Sequence, residues 1–229
     1  MRQVILISAI SILSLSLRAQ EPSTFRKVNF EFMAGYLNSP VVGVGARSLR
    51  EGIDATEDIF PSYSGAVLPK SSAYVGILVD YRFHPLVGIG SGMVYTPKGW
   101  WIFEQNDITD VRIKTFYTVD YFELPLFLQI YARPKLSFRA GPVISFAGIT
   151  KTRIVTKDNG DRDVEQYRFG ENGTRLAREI VPGIEAALTF GNLSGLHGTF
   201  GVQYSGSFYE GYDIRPIAFK LGIGYTISR

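Results

Sequence analysis

Pro216-Ile217-Ala218-Phe219-Lys220-Leu221-Gly222-Ile223-Gly224-Tyr225-Thr226-Ile227-Ser228-Arg229 closes this chain of 229 residues, and two kinds of side chain alternate along it. Ile217, Phe219, Leu221, Ile223, Tyr225 and Ile227 fall on one face. Ala218, Lys220, Gly222, Gly224, Thr226 and Ser228 fall on the other. A period of two is the mark of a strand, here with one apolar face and one small or polar face. In a water-soluble barrel or sandwich the apolar face points inward. In a membrane barrel it points outward to lipid, and the polar face lines the lumen.

The same alternation recurs upstream in seven segments: Lys27 to Asn38, Ser72 to Phe83, Val87 to Lys98, Val111 to Tyr131, Lys135 to Arg153, Leu176 to Phe190 and Leu196 to Tyr209. In each, an apolar set such as Phe30, Phe32, Ala34 and Tyr36 stands opposite a smaller or more polar one. His84-Pro85-Leu86, Ala132-Arg133-Pro134 and Gly191 to Gly195 read as tight turns. Between them run longer polar connections, above all residues 39–70 and 154–174. Short turns and both chain ends therefore gather at one end and long loops at the other, the asymmetry of an outer-membrane barrel. Each span supplies the ~9–11 residues that a crossing strand needs. Pro125, Pro142 and Pro182 each remove a ladder donor and are read as bulges or irregularities.

A soluble lipocalin-like barrel would turn the Gly- and Ala-rich face to water, where Lys and Glu normally crowd. An eight-stranded interior is narrow and filled by side chains, so small residues belong inside it. The expected fold is all-β, an eight-stranded antiparallel up-and-down transmembrane β-barrel.

Met1-Arg2-Gln3, the apolar run Val4 to Leu17 and Ala19 have the layout of a secretory signal peptide. The run is shorter than the roughly 20 residues of a spanning helix. Cleavage is expected after Ala19, giving residues 1–19 as signal peptide and 20–229 as one barrel domain in the outer membrane of a Gram-negative envelope. The chain has no Cys, which removes disulfides, thiolate metal sites and cysteine nucleophiles together. The net charge of +3 falls to about +1 without Arg2 and Arg18 and implies no nucleic-acid surface.

Tyr121-Phe122-Glu123-Leu124-Pro125-Leu126-Phe127-Leu128, followed by a tight turn and Phe138-Arg139-Ala140-Gly141-Pro142, resembles the strand pair of the small outer-membrane barrels called the PorT family. The resemblance covers essentially the whole chain. It implies an outer-membrane location and, through the family's namesake, a link to protein secretion. The last strand also resembles the C-terminal signal read by the barrel-assembly machinery, carried here by Lys220, Gly222, Tyr225 and Ile227. It departs from many such signals by continuing through Ser228 to Arg229.

With apolar faces outward, the lumen receives Glu31, Asp80, Arg82, Glu123, Gln129, Arg139, Glu185, Gln203 and Lys220. Charges in a narrow interior must pair. Heights counted from the turn end predict Glu31 with Arg82, Arg139 with Glu185, and Glu123 with Lys220. Such pairs zip the interior shut; a proton or ion path is the alternative. His84 and His197 fall at turns on different hairpins, so no catalytic site, metal site or cofactor is expected. Trp100 and Trp101 read as an outer aromatic girdle. Asp158-Asn159-Gly160-Asp161 reads as a flexible turn. The expected partners are outer-membrane lipid, the assembly machinery during biogenesis, and an envelope protein met through loops or turns. The functional reading is a non-catalytic anchor, surface-interaction or secretion-associated component, with a narrow porin-like channel second and a lipid-modifying enzyme third.

Overall fold

In a computed structural model of the protein, residues 27–158, 161–169, 178–208 and 213–228 are described. The expected signal peptide lies outside them, as do Leu176, Tyr209 and Arg229 at expected strand ends. The elements in chain order are β1 (Lys27–Ser39), β2 (Val41–Val42), α1 (Val44–Ile59), β3 (Tyr63–His84), β4 (Val87–Asn106), β5 (Val111–Arg133), β6 (Leu136–Asp158), β7 (Asp161–Phe169), β8 (Ile180–Gly191), β9 (Leu196–Ser205) and β10 (Arg215–Ser228).

Among the described residues, ten strands thus stand where alternation predicted eight. Eight of them close a ring in the order β1-β3-β4-β5-β6-β8-β9-β10, and β10 returns to β1 along an unbroken register from Asn29↔Ser228 to Asn38↔Phe219. All pairings are antiparallel. The two additional strands lie off the ring: β2 adds two rungs to β10, and β7 pairs β6 beyond the wall. β7 has an edge to pair with because β3 to β6, at 20 to 23 residues each, far outgrow a bilayer crossing.

The alternation sorts the faces as read from sequence. Phe32, Leu126 and Ile223 are 48%, 59% and 64% exposed on the outside, with many others like them. An exposed apolar belt of this extent requires lipid around it. The inner face carries glycine and the polar set. At Gly35 and Gly222, which pair across the β1–β10 seam, a Cβ would stand 2.8 Å and 2.2 Å from the ring and hydroxyl of Tyr74. The Tyr74 side chain, 1% exposed, therefore lies in a trough that only two glycines leave open. Gly141 serves a different close approach, since a Cβ there would lie 1.9 Å from the Leu126 carbonyl oxygen. This is the physical content of the Ala-Gly-Pro stretch.

Several expectations are corrected. None of Pro125, Pro142 and Pro182 is a bulge, and only Pro125 and Pro142 adjoin an irregularity, in the β5–β6 ladder. Pro125↔Val143, Pro142↔Ile184 and Pro182↔Ile144 sit in continuous register, and shifts fall instead at Val119/Tyr121, Tyr131/Arg133, Pro69/Val75 and Arg82/His84. Rungs between Pro125 and Leu128 are skipped without a net shift, so a missing proline donor is absorbed locally. The connection 39–70 is not an irregular loop: it holds β2, α1 and the first part of β3. Ala46, Leu49 and Ile53 recur at helical spacing on one face of α1, with Ala46 fully buried. Gly43 has no side chain to cap the helix start; Asp213 serves instead, its carboxylate accepting from the Val44 N–H at 3.4 Å and its backbone carbonyl from the Gly45 N–H at 3.1 Å. The stretch 154–174 is largely the β6–β7 hairpin, with Asp158 paired to Asp161.

Candidate functional site

The inner face sets the lumen side chains in layers. At the turn end, the Asp80 carboxylate accepts from Asn29 Nδ2 at 2.9 Å and from the Tyr131 hydroxyl at 2.6 Å. The Arg82 guanidinium stacks 4.0 Å from the Tyr131 ring centroid and donates to the Pro85 carbonyl. Gln129 donates to Ser137 at 3.1 Å. Asp80 and Gln129 are buried, while Arg82 is half-buried at the rim.

Above this layer lies a continuous ion-pair network. Glu31 of β1 accepts from Arg139 of β6 at 3.1 Å and faces His197 Nε2 at 3.2 Å. Arg139 Nε is 3.9 Å from Glu185, which takes a bond from Lys220 Nζ at 2.6 Å. Lys220 also reaches Glu123 at 3.0 Å, and Glu123 is bonded in addition by Lys98, Gln203 and Ser145. Three carboxylates therefore meet two lysines and one arginine. Lys98 completes its bonding to Ser205 at 3.2 Å. In the ring order, β1 faces β6, β5 faces β10 and β4 faces β9. Glu31–Arg139, Glu123–Lys220 and Lys98–Ser205 are therefore braces between opposite walls, not zippers between neighbours.

The structure places all nine sequence-predicted lumen residues on the inner face, but not all the pairs. Arg139–Glu185 and Glu123–Lys220 are within ion-pair distance; Glu31–Arg82 is not formed. Arg82 stands opposite Lys27 and Glu31 opposite Leu78, so the two charges are four residues apart along β1. Counting heights from the turns ignores the stagger that strand tilt imposes on a barrel. Lys98 and His197 were missed. Lys98 shares parity with Val94 and Thr96, but the expected strand ended on it, whereas β4 continues to Asn106. The assembly-signal residues separate by face: Lys220 and Gly222 point inward, while Tyr225 and Ile227 are 53% and 48% exposed outside.

The loop end of the lumen is closed by aromatic packing. Trp100 stacks on Tyr117 and Phe208 with centroids 5.1 Å and 6.2 Å apart, and Phe208 stacks on Tyr121 at 5.3 Å. Val41, Ala46, Val181 and Ile214 complete the cluster, and α1 lies over it. Trp100 is thus 3% exposed inside the mouth, not part of an outer girdle. Trp101, of opposite parity, faces outward and donates to the Pro69 carbonyl at 3.1 Å. Beside the mouth, a hydrogen bond from Arg215 holds the Asp213 carboxyl below its ordinary pKa. Spaces within the lumen beside Arg139 and Lys220, and beside Asp80 and His197, amount to about 10 Å³ each, room for one water at most. Neither is a passage.

Residues 19–228 match the family described as outer membrane protein beta-barrel domain. No curated protein matches the chain. Among solved structures, Ail, the attachment invasion locus protein of Yersinia pestis, is 12% identical, with 87% of this chain and 98% of that chain covered and a TM-score of 0.42. The outer membrane protein OprG of Pseudomonas aeruginosa is 15% identical over 87% and 95%, with a TM-score of 0.37. The outer membrane protease OmpT of Escherichia coli is 9% identical over 89% and 97%, with a TM-score of 0.34. At this likeness none of their activities transfers.

Proposed function

This chain belongs to the outer membrane protein beta-barrel domain family and resides in the cell outer membrane; from that premise we propose that it is a non-catalytic barrel with a filled lumen, serving as an envelope anchor or secretion-associated component. The observation that carries this reading is the cross-braced network from Glu31 to Lys98, with the Trp100–Phe208 cluster closing the mouth above it. Buried charges that satisfy one another from opposite walls fill the interior and would each be left uncompensated if it opened. The finer likeness to the PorT family, carried by Tyr121 to Leu128 and Phe138 to Pro142, supports the secretion-associated form of the proposal. Partner contact would use the exposed loop end or the periplasmic turns.

Both histidines fit this reading. His197 is 4% exposed, with Nε2 on Glu31 and Nδ1 on the Gly195 carbonyl at 3.0 Å, so its ring is committed inside the wall. His84 Nδ1 accepts from the Leu86 N–H in the β3–β4 turn at 3.1 Å.

Planar-bilayer recording of the folded protein tests the lumen. A silent or only flickering trace is expected. Steady nanosiemens-scale openings would overturn the filled-lumen reading in favour of a pore. Unchanged lipid A mass spectra on overexpression are expected of a non-enzyme, and an envelope protein retained through gentle detergent extraction is expected of the secretion-associated form.

A further inference from the structure

Beyond the lipid belt, β4, β5, β6 and β7 continue as a sheet whose outer face changes character. On β5 the outward series runs Leu128, Leu126, Leu124, Phe122, then Asp120 and Thr118, then Phe116, Lys114 and Arg112. The neighbouring strands turn in step. The registers Phe116↔Arg153, Lys114↔Val155 and Arg112↔Lys157↔Arg162 place these residues in three consecutive rows. Together with Phe103 they line a groove of about 480 Å³ on the face continuous with the lipid-facing wall.

The groove is one-signed. Arg112, Lys114, Arg153, Lys157 and Arg162 all border it. The acidic residues of β7, Asp161, Asp163 and Glu165, have the opposite parity to Arg162, and Glu165 holds the Tyr167 hydroxyl there. Among the described residues, no carboxylate pairs with Lys114, Arg153, Lys157 or Arg162; Arg112 alone has an exposed partner, Asp110, at 3.2 Å. One row nearer the membrane, Lys151 is neutralised by Asp120 at 2.7 Å, so the unbalanced charge begins only above it. Lys114 is held over the Trp101 and Phe103 rings at 5.4 Å and 5.7 Å, which keeps its ammonium at the groove.

Height identifies the occupant. Phe116 lies three outward positions beyond Phe122, about 20 Å along the strand and about 15 Å along the membrane normal once a tilt near 40° is allowed. Arg112 stands about 10 Å higher by the same measure. A basic groove opening sideways at that level, on the lipid side of the wall, faces the sugar headgroups of the outer leaflet and not the open medium above the barrel.

We propose that the groove between Phe103, Lys114, Arg153, Lys157 and Arg162 binds the phosphate-bearing saccharide headgroup of an outer-leaflet glycolipid. Guanidinium and ammonium groups in adjacent rows suit several phosphates on one rigid sugar frame; Phe103 and Phe116, the latter stacked on Trp101 at 5.6 Å, add apolar surface at the groove for the sugar.

The test uses the full chain in nanodiscs of neutral phospholipid doped with a core glycolipid, either phosphorylated or stripped of phosphate, with retained glycolipid read by native mass spectrometry. The wild-type protein should retain the phosphorylated form, and Lys114→Gln/Arg153→Gln/Lys157→Gln should retain about tenfold less. Arg133→Gln/Lys135→Gln, at the opposite end of the barrel, should retain as much as wild type. Raising salt on the unaltered protein should release the phosphorylated lipid, which makes the test independent of variant folding. Equal retention by the triple variant, or equal retention of the dephosphorylated lipid, overturns the proposal. Inositol hexakisphosphate serves as the soluble probe. If it binds through the same three residues while no glycolipid is retained, the groove takes a free polyanion and the lipid assignment is overturned.

Discussion

Lys220, on the last strand, spans the lumen to Glu123 on the opposite wall at 3.0 Å while bonding Glu185 at 2.6 Å. One ammonium thus joins three strands that share no turn. Lys220→Met leaves Glu185 with Arg139 alone, at 3.9 Å, and strips one of two cations from Glu123. Removing one partner of a buried pair costs about 3–5 kcal/mol. The urea midpoint of the heat-modifiable folded band should fall accordingly. An unshifted midpoint would mean that the brace carries no load.

Charge balance gives a second expectation. Lys220→Met/Glu185→Leu removes one charge of each sign and leaves Glu31 with Arg139 and Glu123 with Lys98. The double variant should be more stable than Lys220→Met alone, with a coupling of about 1–3 kcal/mol in a double-mutant cycle. Simple additivity would show that the pair is not coupled.

The lid can be tested separately from the barrel. Ile53 faces Gly65 of β3, where a Cβ would lie 2.8 Å from its Cγ2, and Ile53 is 9% exposed. Ile53→Glu puts a charge into that contact and should free α1 to protease within residues 44–59, while the barrel band stays intact on gels. Equal resistance of variant and wild type would place the hold on α1 elsewhere, in Ala46 or in the Asp213 contacts.

At the seam, Gly222→Val would drive a side chain into the Tyr74 hydroxyl. Loss of the folded, heat-modifiable form is expected on refolding into detergent. Gly222→Val/Tyr74→Ala removes the nearer contact but leaves the Ala34 carbonyl oxygen 2.7 Å from the same Cβ, so it should recover only part of it. A folded single variant would contradict the trough.

The barrel was legible because alternation is a local property. Each of the ring strands shows its faces within ten residues, and the Gly-rich inner face distinguished a lipid-wrapped wall from a soluble one. What failed was non-local. Glu31 and Arg82 looked level on neighbouring strands, but the partner of Glu31 comes from β6, across a stagger that no single strand reveals. Lys98 was hidden because the expected strand stopped at the lipid boundary while the hydrogen bonding did not. The helix was hidden because its apolar stripe is only Ala46, Leu49 and Ile53, among charges that read as loop. His197 looked like a turn residue because its partner, Glu31, lies far away in sequence.

The glycine trough under Tyr74 bears on traffic through the wall. The junction between first and last strands is where a barrel could part sideways and release a lipid or a polypeptide into the bilayer. Here that junction is bolted from within by a ring rooted on β3, a strand outside the junction itself. Parting it means withdrawing a buried tyrosine from a slot shaped for it as well as breaking the ladder. Lateral release through this seam therefore requires two independent sets of contacts to fail together.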